Sequence, residues 1–291
     1  MSQAPTRTSG EPVAIICGGG TLPLTVAAAV ERDGRPVVLF PIHGWADPSA
    51  FGRYRHHWLH LGSAGRFRRL ARQEGCRDVV LIGNVIRPAI HDLRFDWLTL
   101  RLLPSTIRLF KGGDDRLLSG IAKLFEEHGF RLVGAHEVAP EILVAEGPLG
   151  LIKPSAAHAQ DIARGFELIS AMTAFDVGQA VVVADNRVLA IEAAEGTDQM
   201  LDRVAALRAE GRIKIPENTG VLVKAPKPTQ DRRVDLPSVG PRTVERAAHA
   251  KLAGIAVAAG ETVIAEPLRV AEAADRAGLF VVGRRHPGAE P

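Results

Sequence analysis

Two glycine-containing segments of the sequence could bind phosphate. The first, Gly18-Gly19-Gly20-Thr21-Leu22-Pro23, follows an apolar run and precedes a segment with helical spacing. Backbone amides that no Cβ crowds, placed at the N-terminus of a helix, can cradle a phosphate. The segment matches neither the GxGxxG nor the Walker A pattern, so it specifies neither a dinucleotide nor a nucleoside triphosphate. A plain tight turn is an equally good interpretation.

The second segment, Lys111-Gly112-Gly113-Asp114-Asp115, has the same architecture with charges added. The lysine and the two glycines could hold a phosphate, and the two aspartates could hold a hydrated Mg²⁺ ion. Either aspartate could instead cap the helix that follows. Two carboxylates together after two glycines favour a functional site.

Two charged segments follow predicted strands in the second half of the chain. The segment from Glu192 to Asp198 contains three carboxylates, more than one helix cap requires, although Thr197 or Asp198 could be that cap. Strand ends are where α/β proteins assemble binding sites. The long irregular segment from Lys224 to Thr243 has lysine and arginine side chains that could bind phosphate and aspartates that could bind Mg²⁺. We expect it to be a substrate loop, with Thr243 as the N-cap of the next helix.

Other kinds of catalytic site find little support. Neither Cys17 nor Cys76 has a local histidine partner, and no GxSxG motif is present. The histidines form no HxH or HExxH pair, which argues against zinc. Aromatic residues are only 5% of the chain and show no stacking pattern, so a nucleic-acid partner is not expected.

The elements that must position these segments alternate between apolar strands and helices. This pattern predicts an α/β fold with a Rossmann-like parallel sheet in the N-terminal domain. The turn Asp185-Asn186 between two short strands predicts a hairpin, and therefore a mixed α/β C-terminal domain. We place the domains at residues 1–142 and 143–291, with residues 1–12 as a flexible tail.

The chain has 291 residues, of which 46% are apolar and 24% are charged, and this is the composition of an ordinary globular protein. No apolar run is long enough to span a membrane, and no signal peptide is evident. The presence of only two cysteines suits a reducing compartment. We therefore expect a cytoplasmic protein. The excess of basic residues lies in the first half. Residues 91–110 combine arginines with apolar residues, which indicates either a core helix, the favoured interpretation, or an anionic-lipid contact.

Four motifs taken in order resemble a known family: strand-GGG-TLP, KGGDD, IEAAEGTD and DLPSVGP followed by a helix. The sequence is similar to the UDP-2,3-diacylglucosamine pyrophosphatases of lipid A biosynthesis, of the LpxI type that is unrelated to calcineurin-like metallophosphatases. The resemblance runs from Val13 to Gly283. Any one of these motifs alone would be unspecific, whereas four at matching spacing are specific.

The resemblance implies Mg²⁺-dependent hydrolysis of UDP-2,3-diacylglucosamine to UMP and 2,3-diacylglucosamine 1-phosphate (lipid X). It also implies two α/β domains with the active site between them, and a homodimer. We separately expect at most transient contact with the surface of the inner membrane. The aspartate that is essential in the family corresponds to Asp235, which we expect to be catalytic and a metal ligand. Further candidate metal ligands are Asp114, Asp115 and Asp198. Candidate substrate-binding residues are Gly18, Gly19, Gly20, Lys111, Gly112, Gly113, Glu195, Gly196, Thr197 and Lys224.

Two alternatives from other classes remain open on the residues alone. One is a noncatalytic sensor or scaffold that binds a nucleotide sugar through the same loops. The other is an oxidoreductase with a dinucleotide at Gly18–Gly20, against which the absence of the third glycine of the fingerprint weighs. Several carboxylate-bearing motifs favour metal chemistry over mere binding, because carboxylates repel phosphates unless a cation intervenes.

Overall fold

The structure is a computed structural model that describes residues 10–85, 94, 96–99, 114–175, 177–228 and 230–286, with the backbone alone for residues 114–119. The chain divides into two compact units, Met1–Pro140 and Glu141–Pro291, called here the first and the second unit. Among the described helices, none is long and apolar enough to cross a bilayer.

The first unit is built on a parallel four-stranded sheet with the strand order β2-β1-β3-β4. Its strands are β1 (Val13–Cys17), β2 (Val37–Pro41), β3 (Asp78–Ile82) and β4 (Arg131–Leu132). Its helices are α1 (Leu22–Arg32), α2 (Ala64–Gln73), α3 (Asp114–Glu127) and α4 (Ala135–Val138), with a 3₁₀ turn at Pro48–Ala50. The central strands are continuous apolar runs because a parallel sheet is covered on both faces.

Aromatic packing fixes α2 against this sheet. Phe67 of α2 is buried, and its ring centroid lies 4.9 Å from that of Phe40 on β2 and 5.3 Å from that of Phe130. The opposite face of α2 is exposed and rich in arginine. Burial of one face only is the pattern of an amphipathic surface helix.

The second unit contains a mixed six-stranded sheet with the strand order β5-β12-β10-β8-β6-β7. These strands are β5 (Gly147–Pro148), β6 (Ala180–Ala184), β7 (Arg187–Ile191), β8 (Val221–Lys224), β10 (Gly254–Ala258) and β12 (Phe280–Arg284). A small parallel pair joins β9 (Ser238–Val239) to β11 (Val263–Ile264). The helices are α5 (Ala156–Ala171), α6 (Gly196–Ala209), α7 (Pro241–His249) and α8 (Pro267–Ala277), and 3₁₀ turns lie at Pro140–Ile142 and Met172–Phe175.

The direction of the strands determines where polar residues gather. β8, β10 and β12 are mutually parallel, and β6 runs antiparallel to both β7 and β8. The carboxyl ends of β7, β8, β10 and β12 therefore lie at one edge of the sheet. Helix α5 covers one face of the sheet, whereas α6, α7 and α8 pack on the other.

The predicted α/β class, parallel first sheet and mixed second sheet are confirmed. Asp185 and Asn186 have φ values of 49° and 60°, the conformation that a type I′ hairpin turn requires, so the predicted hairpin is also confirmed. The prediction of Thr243 as an N-cap is wrong, because α7 begins at Pro241 and its N-cap is Gly240. The Thr243 hydroxyl instead accepts a hydrogen bond from the Gly240 amide at 3.5 Å.

Candidate active site

Three polar side chains meet at the carboxyl edge of the second sheet. Gln179 directly precedes β6, Glu192 directly follows β7, and Lys224 is the last residue of β8. The register pairs Ala180 with Lys224 and Val181 with Ile191, so all three positions lie at the same edge. This is the edge at which α/β sheets bind their ligands.

Lys224 is the centre of this group. Its side chain is buried, and its Nζ donates hydrogen bonds of 3.0 Å to the Thr197 hydroxyl and of 3.0 Å to the Ser238 carbonyl. Burial lowers the pKa of Lys224 below its ordinary value, while the charges of Glu192, Asp198 and Asp235 act in the opposite direction. A buried amine with a perturbed pKa, surrounded by carboxylates, is typical of a functional site.

Thr197 connects Lys224 to Glu192. Its hydroxyl donates a 2.7 Å hydrogen bond to Glu192 Oε1 while its oxygen accepts from the lysine. The other oxygen of Glu192 accepts from the backbone amide of Gln179 at 2.8 Å. Thr197 lies in the first turn of α6, so the start of this helix is bonded to the end of β7. Each polar group here holds its neighbour in one orientation.

Asp235 lies in the loop between β8 and β9, and two glutamines fix its carboxylate. Its Oδ2 accepts a 2.8 Å hydrogen bond from Gln179 Nε2 and a second from Gln230 Nε2. Gln230 is buried, and its Oε1 accepts from the Lys227 amide at 3.1 Å. The Asp235 amide donates to the Asp231 carbonyl at 3.1 Å, which closes the turn. Gln179 thereby joins both Glu192 and Asp235.

Two further ionisable groups follow the next strands along this edge. Glu261 comes after β10 and is only 5% exposed; its Oε1 accepts from Arg232, and its Oε2 has no hydrogen-bond partner among the described residues. His286 comes after β12, and its Nε2 lies 3.1 Å from the Ser170 hydroxyl. Burial lowers the pKa of His286, although the charge of Glu261 partly opposes this. Gln179, Glu261 and His286 were not among the predicted site residues.

The structure brings together some of the predicted residues of the second unit. Thr197 and Lys224 are hydrogen-bonded, and Asp198 and Asp235 both contribute charge at Lys224. Asp198 also forms a 2.8 Å ion pair with Arg242.

The other two predicted residues of this motif have different surroundings. Glu195 forms a 2.6 Å ion pair with Arg203. The pKa of Glu195 is lowered by a hydrogen bond from its own backbone amide and by this arginine. Gly196 has a φ of +80°, which favours glycine at the start of α6 whatever the ligand.

The glycine segment of the first unit has a structural explanation for two of its residues. The Gly18 amide donates to the Ile82 carbonyl at 2.9 Å, and the Gly19 amide donates to the Asn84 carbonyl at 2.9 Å. A Cβ on Gly18 would lie 2.7 Å from the backbone of Gly83, so glycine is needed where these loops cross. Gly20 is exposed with a φ of +90°. Phosphate binding by this segment stays a prediction.

The second glycine-containing segment lies largely outside the described residues. This applies to Lys111, Gly112 and Gly113, and to most of the amphipathic segment 91–110. Asp114 and Asp115 are the first two residues of α3, for which the backbone alone is described. The roles predicted for these five site residues therefore stay predictions.

Among the described residues, few metal ligands lie close together. In the described part of the chain, no group of three or more His, Cys, Asp or Glu side chains could hold a metal ion. Mg²⁺ usually binds through one or two carboxylates together with substrate phosphates, and it keeps several waters. Asp198 and Asp235, whose charges both act on Lys224, are the candidates for holding an ion in that way, and metal binding by them stays a prediction.

Comparison with known proteins accounts for both units. Residues 12–142 match the LpxI N-terminal domain, and residues 145–282 match the LpxI C-terminal domain. The chain belongs to the LpxI family. It is 42% identical over 269 residues to the UDP-2,3-diacylglucosamine pyrophosphatase LpxI of Caulobacter vibrioides. These residues make up 92% of this chain and 96% of that relative. The family that the four motifs indicated is confirmed, and with it the expectation that the chain is an enzyme.

Proposed function

We propose that this chain hydrolyses the pyrophosphate bond of UDP-2,3-diacylglucosamine to UMP and 2,3-diacylglucosamine 1-phosphate, as a step of lipid A biosynthesis. The name of the Caulobacter vibrioides relative supports the substrate. The observation that carries the proposal in this chain is the buried Lys224 beside Asp235 at the carboxyl edge of the second sheet. A cation and a fixed carboxylate at one place are what phosphoryl transfer to water requires.

Lys224 binds the negative charge of the diphosphate in this proposal. Thr197 and Ser238 hold its Nζ, so little side-chain entropy is lost when the substrate arrives. Burial lowers the pKa of the free lysine, whereas the two negative charges of the substrate diphosphate would favour its charged form. The lysine and the diphosphate would thus meet in a site where water screens their attraction little.

Asp235 orients the attacking water or accepts its proton. Gln179 and Gln230 both donate to Oδ2, which fixes the plane and direction of the carboxylate. The water attacks the phosphorus nearer the sugar, and the bond from that phosphorus to the bridging oxygen breaks. UMP leaves with the bridging oxygen, and the sugar keeps the phosphate that received the water.

Mg²⁺ is the cofactor of this proposal. Asp235, with Asp198, would hold it together with the substrate phosphates, and Asp114 and Asp115 are further candidates from the sequence alone. When bound, the ion neutralises charge on the diphosphate and polarises its oxygens. We also propose a cytoplasmic homodimer that contacts the inner membrane transiently to collect its lipid. Light scattering of the purified protein and cell fractionation test these two statements.

The deciding experiment measures UMP release from UDP-2,3-diacylglucosamine with Mg²⁺ and with EDTA. We expect release by the wild type with Mg²⁺ only, and none by Asp235→Ala. The matched control is Asp202→Ala, because Asp202 forms a half-exposed surface ion pair with Arg246, and such pairs contribute little to stability. Wild-type protein that binds the lipid but releases no UMP with any metal would overturn the proposal in favour of the nucleotide-sugar sensor.

A further inference from the structure

Helix α2 of the first unit carries a concentration of positive charge. Its ten residues, AGRFRRLARQ, include four arginines and no acidic residue. Phe67 and Ala71 face the core, whereas Arg66, Arg69 and Arg72 are exposed at a spacing of three residues. Residues three or four apart are neighbours on a helix, so these guanidinium groups lie along one side.

In the described part of the first unit, the Asp96 carboxylate lies at the N-terminus of α2, where it accepts a hydrogen bond from the Arg66 amide, but few other acidic groups contact this helix. Arg72 donates to the His128 carbonyl at 3.0 Å, but neither Arg66 nor Arg69 forms an ion pair with a carboxylate in the part of the chain that the structure describes. Like charges three residues apart destabilise a helix, and cations in its first turn oppose the helix dipole. An external anionic partner would relieve this repulsion.

An exposed tryptophan lies beside the same helix. Asp96 Oδ2 accepts a 2.9 Å hydrogen bond from the Arg66 amide, and the Thr99 hydroxyl accepts a 3.1 Å hydrogen bond from the Ala64 amide. These two contacts cap the N-terminus of α2 and hold Trp97, which lies between them in sequence, next to the helix. Trp97 is 79% exposed, whereas the other two tryptophans, Trp45 and Trp58, are partly buried.

We propose that this basic face, defined as Arg66, Arg69, Arg72 and Trp97, docks the protein on an anionic lipid bilayer. Guanidinium groups bind lipid phosphates, and tryptophan prefers the interface between headgroups and acyl chains. A single exposed indole offers no series of rings for stacking bases, which disfavours nucleic acid. The choice of a bilayer rests on the proposed function, because the proposed substrate carries two acyl chains.

The test is co-sedimentation of the full chain with phosphatidylcholine vesicles, with and without phosphatidylglycerol, in the absence of substrate. We expect binding to the anionic vesicles and little to the neutral ones. Each arginine near an anionic surface contributes about fivefold to partitioning, so Arg66→Gln with Arg69→Gln should weaken binding about 25-fold. The matched control is Arg164→Gln with Arg212→Gln, two exposed arginines of the second unit that change the net charge equally.

Fluorescence provides a second measurement. The tryptophan emission of the wild type should shift to shorter wavelength on anionic vesicles, and Trp97→Phe should remove the shift while still sedimenting with them. Equal loss of binding in both double variants would overturn the proposal, because net charge alone would then explain it. Binding to heparin that requires Arg66 and Arg69, with no fluorescence shift on vesicles, would also overturn it, in favour of a soluble polyanion.

Hydrolysis in detergent micelles separates this proposal from the proposed function. The double variant Arg66→Gln, Arg69→Gln should release UMP from micellar substrate at the wild-type rate, which also shows that it folds. Wild-type protein that hydrolyses micellar substrate but binds no vesicles would overturn the docking face alone. Protein that binds vesicles through this face but hydrolyses nothing would leave the face standing and overturn the function.

Discussion

The two units bury clusters of charge at opposite edges of their sheets. In the first unit, Asp78 opens β3 and is 3% exposed, and it accepts hydrogen bonds from Arg35 at 2.9 Å and from Arg131 at 2.7 and 2.8 Å. Arg131 opens β4, so this cluster lies at the amino edge of the sheet. In the second unit, Lys224 ends β8, so its cluster lies at the carboxyl edge.

The two clusters also differ in how their charges are compensated. Burial alone would raise the pKa of Asp78, but hydrogen bonds and charges from Arg131 and Arg35 lower it, so the ionised form is stabilised. Burial lowers the pKa of Lys224 despite its neighbouring carboxylates, and Glu261 at the same edge keeps a buried oxygen without a partner among the described residues. A cluster whose charges are compensated stabilises the fold, whereas one whose charges are incompletely compensated at the ligand-binding edge is suited to function.

Replacing Lys224 is the strongest test of that contrast. Lys224→Met should lower kcat/KM about 1000-fold, because a preorganised charge on the diphosphate is lost. The denaturation midpoint should change little, because the desolvation cost of the buried amine disappears together with its attraction to the carboxylates. Glu192 also keeps its hydrogen bonds from Thr197 and Gln179. Lys251→Met is the control, because Lys251 forms an exposed ion pair with Glu217. Activity of Lys224→Met within threefold of the wild type would contradict a functional role for the carboxyl-edge cluster.

Replacing Asp78 should have the opposite effect, a loss of stability without a loss of activity. Asp78→Asn leaves two arginines without their anion and should lower the free energy of unfolding by about 3 kcal/mol, with kcat and KM unchanged. Urea denaturation followed by circular dichroism measures the first quantity, and UMP release measures the others. A loss of activity without a loss of stability would break the comparison, because the amino-edge cluster would then be functional.

The pH dependence of Asp78 sharpens the same test. The pKa of this carboxyl in the folded protein lies below its ordinary value of 3.8. Its stabilising contribution is therefore complete above that pH and is lost as the pH falls through the lower, folded-state pKa. The stability difference between wild type and Asp78→Asn should be constant from neutral pH down to about pH 4 and should narrow below it. A difference that widens on acidification would contradict the assigned ion pairs.

Gly18 tests whether the glycine segment of the first unit is needed by the fold. A Cβ at this position would lie 2.7 Å from the Gly83 carbonyl carbon and 2.8 Å from the Asn84 carbonyl oxygen. Gly18→Ala should cost about 2 kcal/mol of stability, because backbone must move. Gly52→Ala is the control, since nothing lies within 4 Å of a Cβ there. Equal stability of the two variants in urea would show that the fold does not require glycine at position 18.

Glu261 gives the smallest expected effect, because it acts through a neighbour. Arg232 is bonded to Glu261 and lies three residues before Asp235, so the pair fixes the loop that carries this aspartate. Glu261→Gln should lower kcat about tenfold with little change in KM, corresponding to one weakened charged hydrogen bond of about 1.4 kcal/mol. The control is Glu272→Gln, which removes an exposed ion pair with Arg276. A higher KM with unchanged kcat would argue against this positioning role.

Local features of the chain could be predicted well. Alternating apolar segments predicted an α/β fold, and the strands β1, β2, β6 and β10 are buried apolar runs of this kind. Asp185-Asn186 predicted the hairpin. These features depend on neighbouring residues only. Thr197, Lys224 and Asp235 were predicted as site residues because they lie in charged segments that follow strands. The four ordered motifs supported that prediction.

The sequence alone determined the family, the two α/β domains and the charged motifs, because apolar periodicity and motif order are written along the chain. Only the tertiary structure decided which charges meet. Gln179 and Asp235 are 56 positions apart, and Ser170 and His286 are 116 positions apart, yet each pair is within hydrogen-bond distance. The order of the strands in the sheet and their register set these contacts. A chain with several similar apolar strands is compatible with many strand orders. The packing of the whole unit selects one of them.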